Sequence, residues 1–181
     1  MYLFAQALGI VASVIAIIAS QMSKKWQILL ISMFANFLSV IVFLLLDDFG
    51  SAVSVNIIAV VQCAINAILS YKGREASIIQ KAIFMSLFLI SGILGYKVPL
   101  DIIPIVASLV FAWSTFQKKE QHIRMFRLVN VILWIVYDSI VGITAVFGQI
   151  FSLISILVAL YRYRKQISVK DGKNEYCDTF S

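Results

Sequence analysis

Charge is scarce in this chain. Lys, Arg, Asp and Glu make up 13% of its 181 residues, against the roughly 25% of an ordinary soluble domain. Only 9 residues are acids and only one, His122, is a histidine. General acid–base chemistry therefore has little to work with. No His-Glu-x-x-His, no Gly-x-Ser-x-Gly, no Cys/His cluster and no phosphate-cradling glycine loop is present. The chain is not expected to be an enzyme, and no cofactor or metal is implied. The two cysteines, Cys63 and Cys177, have neither metal-ligand nor disulfide spacing and are expected to be unpaired thiols. No Asn-X-Ser/Thr acceptor occurs, which fits a bacterial protein. Proline is nearly absent too: Pro99 and Pro104 are the two copies, so long apolar runs go uninterrupted.

Those runs are what the chain has instead. It is 61% hydrophobic, with a mean hydropathy of +0.96. A soluble core of this size could not hide so much apolar surface, so the chain is read as a membrane protein. Its net charge of +6 could suggest nucleic acid. The basic residues sit at the ends of apolar segments and in the tail, however, so nucleic acid is not an expected partner. The expected surroundings are the lipid bilayer. Leu3 to Ser20 lacks a basic leader segment and is too long for a signal-peptide core, so it is taken as the first membrane helix. Gln6, Gly9, Ser13, Ala16 and Ser20 recur along it as a stripe of small and polar residues suited to close packing.

Six further apolar segments follow, at about 27–46, 51–71, 77–96, 100–116, 125–141 and 143–161. Gly92 and Pro104 lie where membrane helices tolerate such residues. The segment from Ser77 to Tyr96 divides two similar halves. Ile10-Val11-Ala12-Ser13 recurs as Ile105-Val106-Ala107-Ser108 and Asn36 as Asn130. Ser51-Ala52-Val53 with Asn56 recurs as Thr144-Ala145-Val146 with Gln149. Three helices are odd in number, so two directly joined copies would face opposite ways. One additional crossing restores a common orientation. The expected fold is all-α, with seven transmembrane helices as two parallel three-helix repeats (3–71 and 100–165), a linker helix (77–96) and a disordered tail (166–181). Lys and Arg set the orientation. Of the 15, Lys97 alone falls in an even-numbered loop; the rest lie in or beside odd-numbered loops or in the tail. This puts the N-terminus outside and the C-terminus in the cytoplasm, in a multi-pass protein of the bacterial inner membrane.

Polar side chains within the bilayer are candidates for function because burying them there is costly. Asn36 lies in the second helix. Asn130, Trp134, Tyr137 and Asp138 share an arc of the sixth. Asn56 and Gln149 occupy matched sites roughly 10 Å inside the outer end, at 1.5 Å per residue. Two amides at equal depth could bind a neutral polar solute, with Trp134 and Tyr137 stacking on its apolar face. The same amides would also serve as interhelical hydrogen-bonding groups. Asp138 could be a proton or cation site or could reach interfacial water.

The 3+1+3 layout with an outside N-terminus resembles the SWEET and PQ-loop transporter superfamily. Within it, the chain is most similar to the YgjV-type bacterial inner-membrane proteins. Ala5-Gln6-Ala7-Leu8-Gly9, Ser51-Ala52-Val53-Ser54-Val55-Asn56, Ile103-Pro104-Ile105 and the region of Trp134 carry the likeness, which covers about residues 3 to 165. The resemblance implies a substrate pocket with an asparagine from the third helix of each unit. Asn56 matches one, and Gln149 takes the place of the other. Trp134 falls near the aromatic position of the second unit, whereas Val40 and Ile41 occupy that region in the first. The Pro-Gln pair that ends each first helix in that superfamily stands here as Ser20-Gln21 and Phe116-Gln117, so the proline hinge is missing. The expected function is a facilitator or proton-coupled carrier of a small polar solute, sugar-like or of the vitamin or nucleoside kind; nicotinamide-riboside carriers share the layout. A non-transporting protein that binds a lipid or a protein partner is the alternative, and homo-oligomer formation is left open.

Overall fold

The computed structural model of the chain describes the backbone of residues 2–45, 51–141 and 146–178. Among these residues are seven α-helices and no strand: α1 (Tyr2–Gln21), α2 (Lys25–Leu45), α3 (Ser51–Tyr71), α4 (Ile78–Leu94), α5 (Ile102–Thr115), α6 (Glu120–Val141) and α7 (Val146–Asp178). One 3-10 turn, Pro99–Asp101, leads into α5. An all-helical answer suits lipid, where every backbone N–H and C=O must find its partner within the segment. Lys25–Leu45, Val53–Tyr71 and Val146–Tyr163 are long and apolar enough to cross a bilayer, and Ala7–Gln21, Ile78–Leu94 and Pro99–Thr115 are shorter apolar stretches. Residues 46–50 and 142–145, between α2 and α3 and between α6 and α7, lie outside the described residues, as do the side chains of Gln6, Ser51 and Ala52. So does Thr144-Ala145, the recurrence of Ser51-Ala52. α7 extends over part of the tail, whose side chains from residue 164 onward are likewise outside the description.

Neighbouring helices form a ring in the order α1, α2, α3, α5, α6, α7 and back to α1, with α4 set outside against α3 and α5. Side-chain contacts fix the directions. Ser54 meets Ser91, and Asn66 meets Gln80, so α3 and α4 are antiparallel. Gln62 reaches Ala112, and Asn66 reaches Thr115, so α3 and α5 are parallel. Ser20 meets Ser155 while Ser13 lies opposite Gly148, so α1 and α7 are parallel. α2 and α6 are parallel as well, because Lys25 bonds Glu120 and Ser32 bonds Arg127. The loops after α1, α3 and α5 therefore gather at one end of the bundle. That end holds Lys24, Lys25, Lys72, Arg74, Lys118 and Lys119.

Local chemistry explains the boundaries. Ser77 caps α4 by accepting the Gln80 N–H at 3.1 Å. α3 closes with Gly73 at φ 66° while the Arg74 N–H bonds the Leu69 carbonyl at 2.8 Å, a left-handed cap that glycine adopts without a Cβ clash. Pro104 sits in the first turn of α5, where no N–H is required by the helix. Between the loops after α3 and α5, Lys118 pairs with Glu75 at 2.8 Å. Its hydrogen bond, then its charge, holds the Glu75 carboxyl below the usual carboxylate range. Both groups are exposed, so the pair adds little stability.

Two packing expectations are corrected. The buried line of α1 is Ala5, Ala12 and Ala19, one heptad apart, together with Ser20; Ser13 and Ala16 are exposed. Gly92 has a specific role. A Cβ there would stand 2.8 Å from Ile105 Cγ1, so α4 approaches α5 only because this residue has none.

Candidate functional site

The bundle is apolar without, and its largely apolar interior also holds polar and charged side chains. Phe34, Phe37, Ile83, Ile90, Phe147 and Phe151 are exposed, while Gln62, Asn66, Arg124, Arg127 and Asp138 are buried. In a bilayer this is the favourable arrangement, since hydrocarbon solvates methyl groups and not amides or charges.

At the basic end, Arg124 closes α1. Its Nε donates to the Ser20 carbonyl at 3.1 Å and its Nη2 to the Met22 carbonyl. The guanidinium carbon lies 4.2 Å from the centre of the Tyr163 ring. Tyr163 donates its hydroxyl hydrogen to the Gln21 carbonyl at 2.8 Å. The last carbonyls of a helix lack partners and carry partial negative charge, so a cation is well suited to them. Gln21, from the Ser20-Gln21 pair, donates to the Ser155 carbonyl at 2.8 Å and to its hydroxyl at 2.7 Å. The side chain of Gln117, its counterpart just beyond α5, donates back to the Trp113 carbonyl of that helix.

Further in, Arg127 donates Nη2–H to the Ser32 hydroxyl of α2 and lies 5.9 Å from the centre of the Phe111 ring of α5. Gln62 donates to the Ala112 carbonyl at 3.1 Å, and its own Oε1 is buried without a hydrogen-bond partner. Asn66 donates to Thr115 and accepts from Gln80, joining α3, α4 and α5. Asn130 donates to the Ala107 carbonyl of α5 at 2.7 Å, and Asn36 to the Ser32 carbonyl of its own helix at 2.9 Å. Trp134 and Tyr137 are half-buried and meet edge to face, with ring centres 5.9 Å apart.

Residues 3–167 match the family Imp-YgjV, described as a bacterial inner membrane protein. The chain belongs to this family. It is accordingly a membrane protein of the bacterial inner membrane. No curated protein and no solved structure matches the chain.

In this Imp-YgjV chain the sequence-derived residues have distinct surroundings. Asn56 is half-buried on α3 and has a partner. Gln149 is half-buried on α7. Their helices have different main neighbours: α3 packs on α2, α4 and α5, and α7 packs on α6 and α1. Asp138 is buried on α6, 4% exposed, toward the end away from the basic loops. Cys63 is buried and free, and the described residues hold no group of His, Cys, Asp and Glu able to bind a metal.

Arg124 and Arg127, which the charge pattern groups with the basic loop, are interior residues. α6 begins at Glu120, not near 125, so both already lie on the helix. The signal was available. Arg124, Arg127, Val131 and Asp138 follow one another at helical spacing, and all are buried. Their shared face turns inward and carries both arginines with it.

Proposed function

We propose that this chain is a seven-span carrier for a small polar solute, with the N-terminus outside and the C-terminus in the cytoplasm. In this reading it is built from two three-helix units joined by α4, in the manner of the SWEET and PQ-loop superfamily. The observation that carries it is the set of polar and charged side chains in the interior. A bundle serving only as an anchor has no need of Gln62, Asn66, Arg127 and Asp138 buried among its helices.

The repeat is supported by the order and direction of the helices. α2 adjoins α1 and α3 as α6 adjoins α5 and α7. α2 and α6 run parallel, and both of their contacts join residues 95 positions apart. Ile10 and Ile105 have that same separation. Contacts between equivalent positions are what a twofold axis between α2 and α6 would produce. The gathering of basic loops at one end supports the cytoplasmic assignment. With Cys63 and Cys177 replaced, a cysteine at position 119 should resist an impermeant thiol reagent in intact cells. Rapid labelling from outside would overturn the topology.

In the solute site, Asn56 and Gln149 would bind hydroxyls from opposite sides of the ring, and Trp134 and Tyr137 would line the wall. Asn36 and Asn130, already bonded to backbone carbonyls, would contribute mainly through their oxygens. Asp138, buried on α6, is the group for proton coupling in this reading. Asn56→Leu and Gln149→Leu test the site. A neutral sugar, nucleoside or vitamin that raises the melting temperature of the wild type should lose its effect in both variants. Their ligand-free melting temperatures should stay close to wild type, since an intramembrane hydrogen bond contributes only ~0.6 kcal/mol on average. Low melting temperatures without a lost ligand effect would instead make both residues packing groups.

A further inference from the structure

We propose that Arg127 is the anchor of an oxyanion site inside the bundle, between α2 and α6 near the basic end, which takes a carboxylate or phosphate group. This goes beyond the carrier reading, since the binding does not require transport.

Four observations carry it. Arg127 is only 8% exposed, so it does not extend along the helix to reach water, as interfacial arginines do. It lies seven residues beyond Glu120, about 10 Å along α6 at 1.5 Å per residue. Among the described residues it has no carboxylate counter-charge: the ionisable groups close enough to act on it are the Cys63 thiol and Arg124. Asp138 shares its helix face but lies eleven residues farther on, about 16 Å away. Lastly, its fork is not saturated. One amine bonds the Ser32 hydroxyl, the ring of Phe111 lies 5.9 Å from the guanidinium carbon, and the buried Nε–H has no partner among the described residues.

A buried charge normally requires both an opposite charge and hydrogen bonds to offset its desolvation. Arg127 lacks the first and part of the second. An oxyanion supplies both, because a guanidinium presents parallel N–H groups at the spacing of two carboxylate or phosphate oxygens. Ser32 and Phe111 hold the fork in place, so little orientation remains to be fixed on binding. The low-dielectric surroundings strengthen the attraction further. Arg124 is not equivalent: two carbonyls and the Tyr163 ring already occupy it.

The test uses the full-length chain in nanodiscs of phosphatidylcholine. Sodium phosphate and sodium lactate are titrated at constant ionic strength, balanced with sodium chloride, and the melting temperature is followed. A saturable rise with phosphate or lactate is expected, with Arg127→Gln weakening the apparent affinity at least about ten-fold. If the rise appears only when phosphatidylglycerol replaces phosphatidylcholine, and Arg127→Gln abolishes it, the site takes an anionic lipid headgroup and not a free solute. Should Arg127→Gln not accumulate, Arg127→Lys decides. It keeps the charge but loses the fork, and is expected to weaken the response at least about three-fold. No anion response in either membrane overturns the site, as does a response that the variants leave unchanged. Because the readout is anion binding, its failure is separate from that of the carrier reading, which the Asn56 and Gln149 variants test with neutral solutes.

Discussion

Arg124→Ala should lower the stability of the ligand-free protein by about 3 kcal/mol or more, given that a hydrogen bond to a charged group contributes about 1.5–3 kcal/mol. Two such bonds, to the Ser20 and Met22 carbonyls, would be lost together. The C-terminal end of α1 would be left with unpaired acceptors in a buried position, and Tyr163 would lose the cation over its ring. At this chain length each kcal/mol corresponds to roughly 2–4 °C, so the melting temperature in mild detergent should fall by roughly 6–12 °C. Arg124→Lys should recover part of the loss, because a cation near a helix C-terminus remains favourable without the fork. A melting temperature within about one degree of wild type for Arg124→Ala would mean that Arg124 does not hold α1 in place.

Gly92→Leu is expected to separate α4 from the ring. Even a methyl group would stand 2.8 Å from Ile105 Cγ1 and 3.2 Å from its Cγ2, well inside contact distance. α4 is held on both sides of this contact. Ser91 beside Gly92 is bonded to Ser54 at 2.8 Å, and Phe88 packs on Phe111 with ring centres 6.5 Å apart. Overpacking of this kind costs typically ~1–3 kcal/mol. Here the expected result is a clear drop in melting temperature for Leu and a smaller one for Gly92→Ala. Ile105→Ala should rescue Gly92→Ala by opening the volume that the new methyl needs. Without that rescue the clash is not the cause, and the α4–α5 approach must be set elsewhere.

The sequence makes the helices legible, and the reason is the solvent. Lipid demands long apolar segments, so hydropathy marks them directly. Ser77 to Tyr96 becomes α4, Ile78–Leu94, because Ser77 is a good cap and Gly95 ends the helix. Short-range polar features are harder. The run from Gln117 to Arg124 looks like a loop because it is charged, yet helix begins at Glu120. The missing information was tertiary: Arg124 is satisfied by carbonyls of α1, which no local pattern reveals. The same holds for Gly92, whose importance depends on where Ile105 lies. Asn130 and Asn36 stand out in the sequence as polar residues within apolar segments, but the sequence does not show that each donates to a backbone carbonyl, one on α5 and one on its own helix.

The meeting of Ser32 with Arg127 also bears on how such a chain could arise. If the two halves descend from one unit that paired with itself, these two positions once held the same residue. Two arginines there would have repelled each other across the axis, and two serines would have left no cation. A fused chain is released from that constraint, because each half can mutate alone. It can keep a hydroxyl on one side and acquire a guanidinium on the other. In this respect fusion does more than tether two partners: it permits a lopsided interior that no self-paired ancestor could have built.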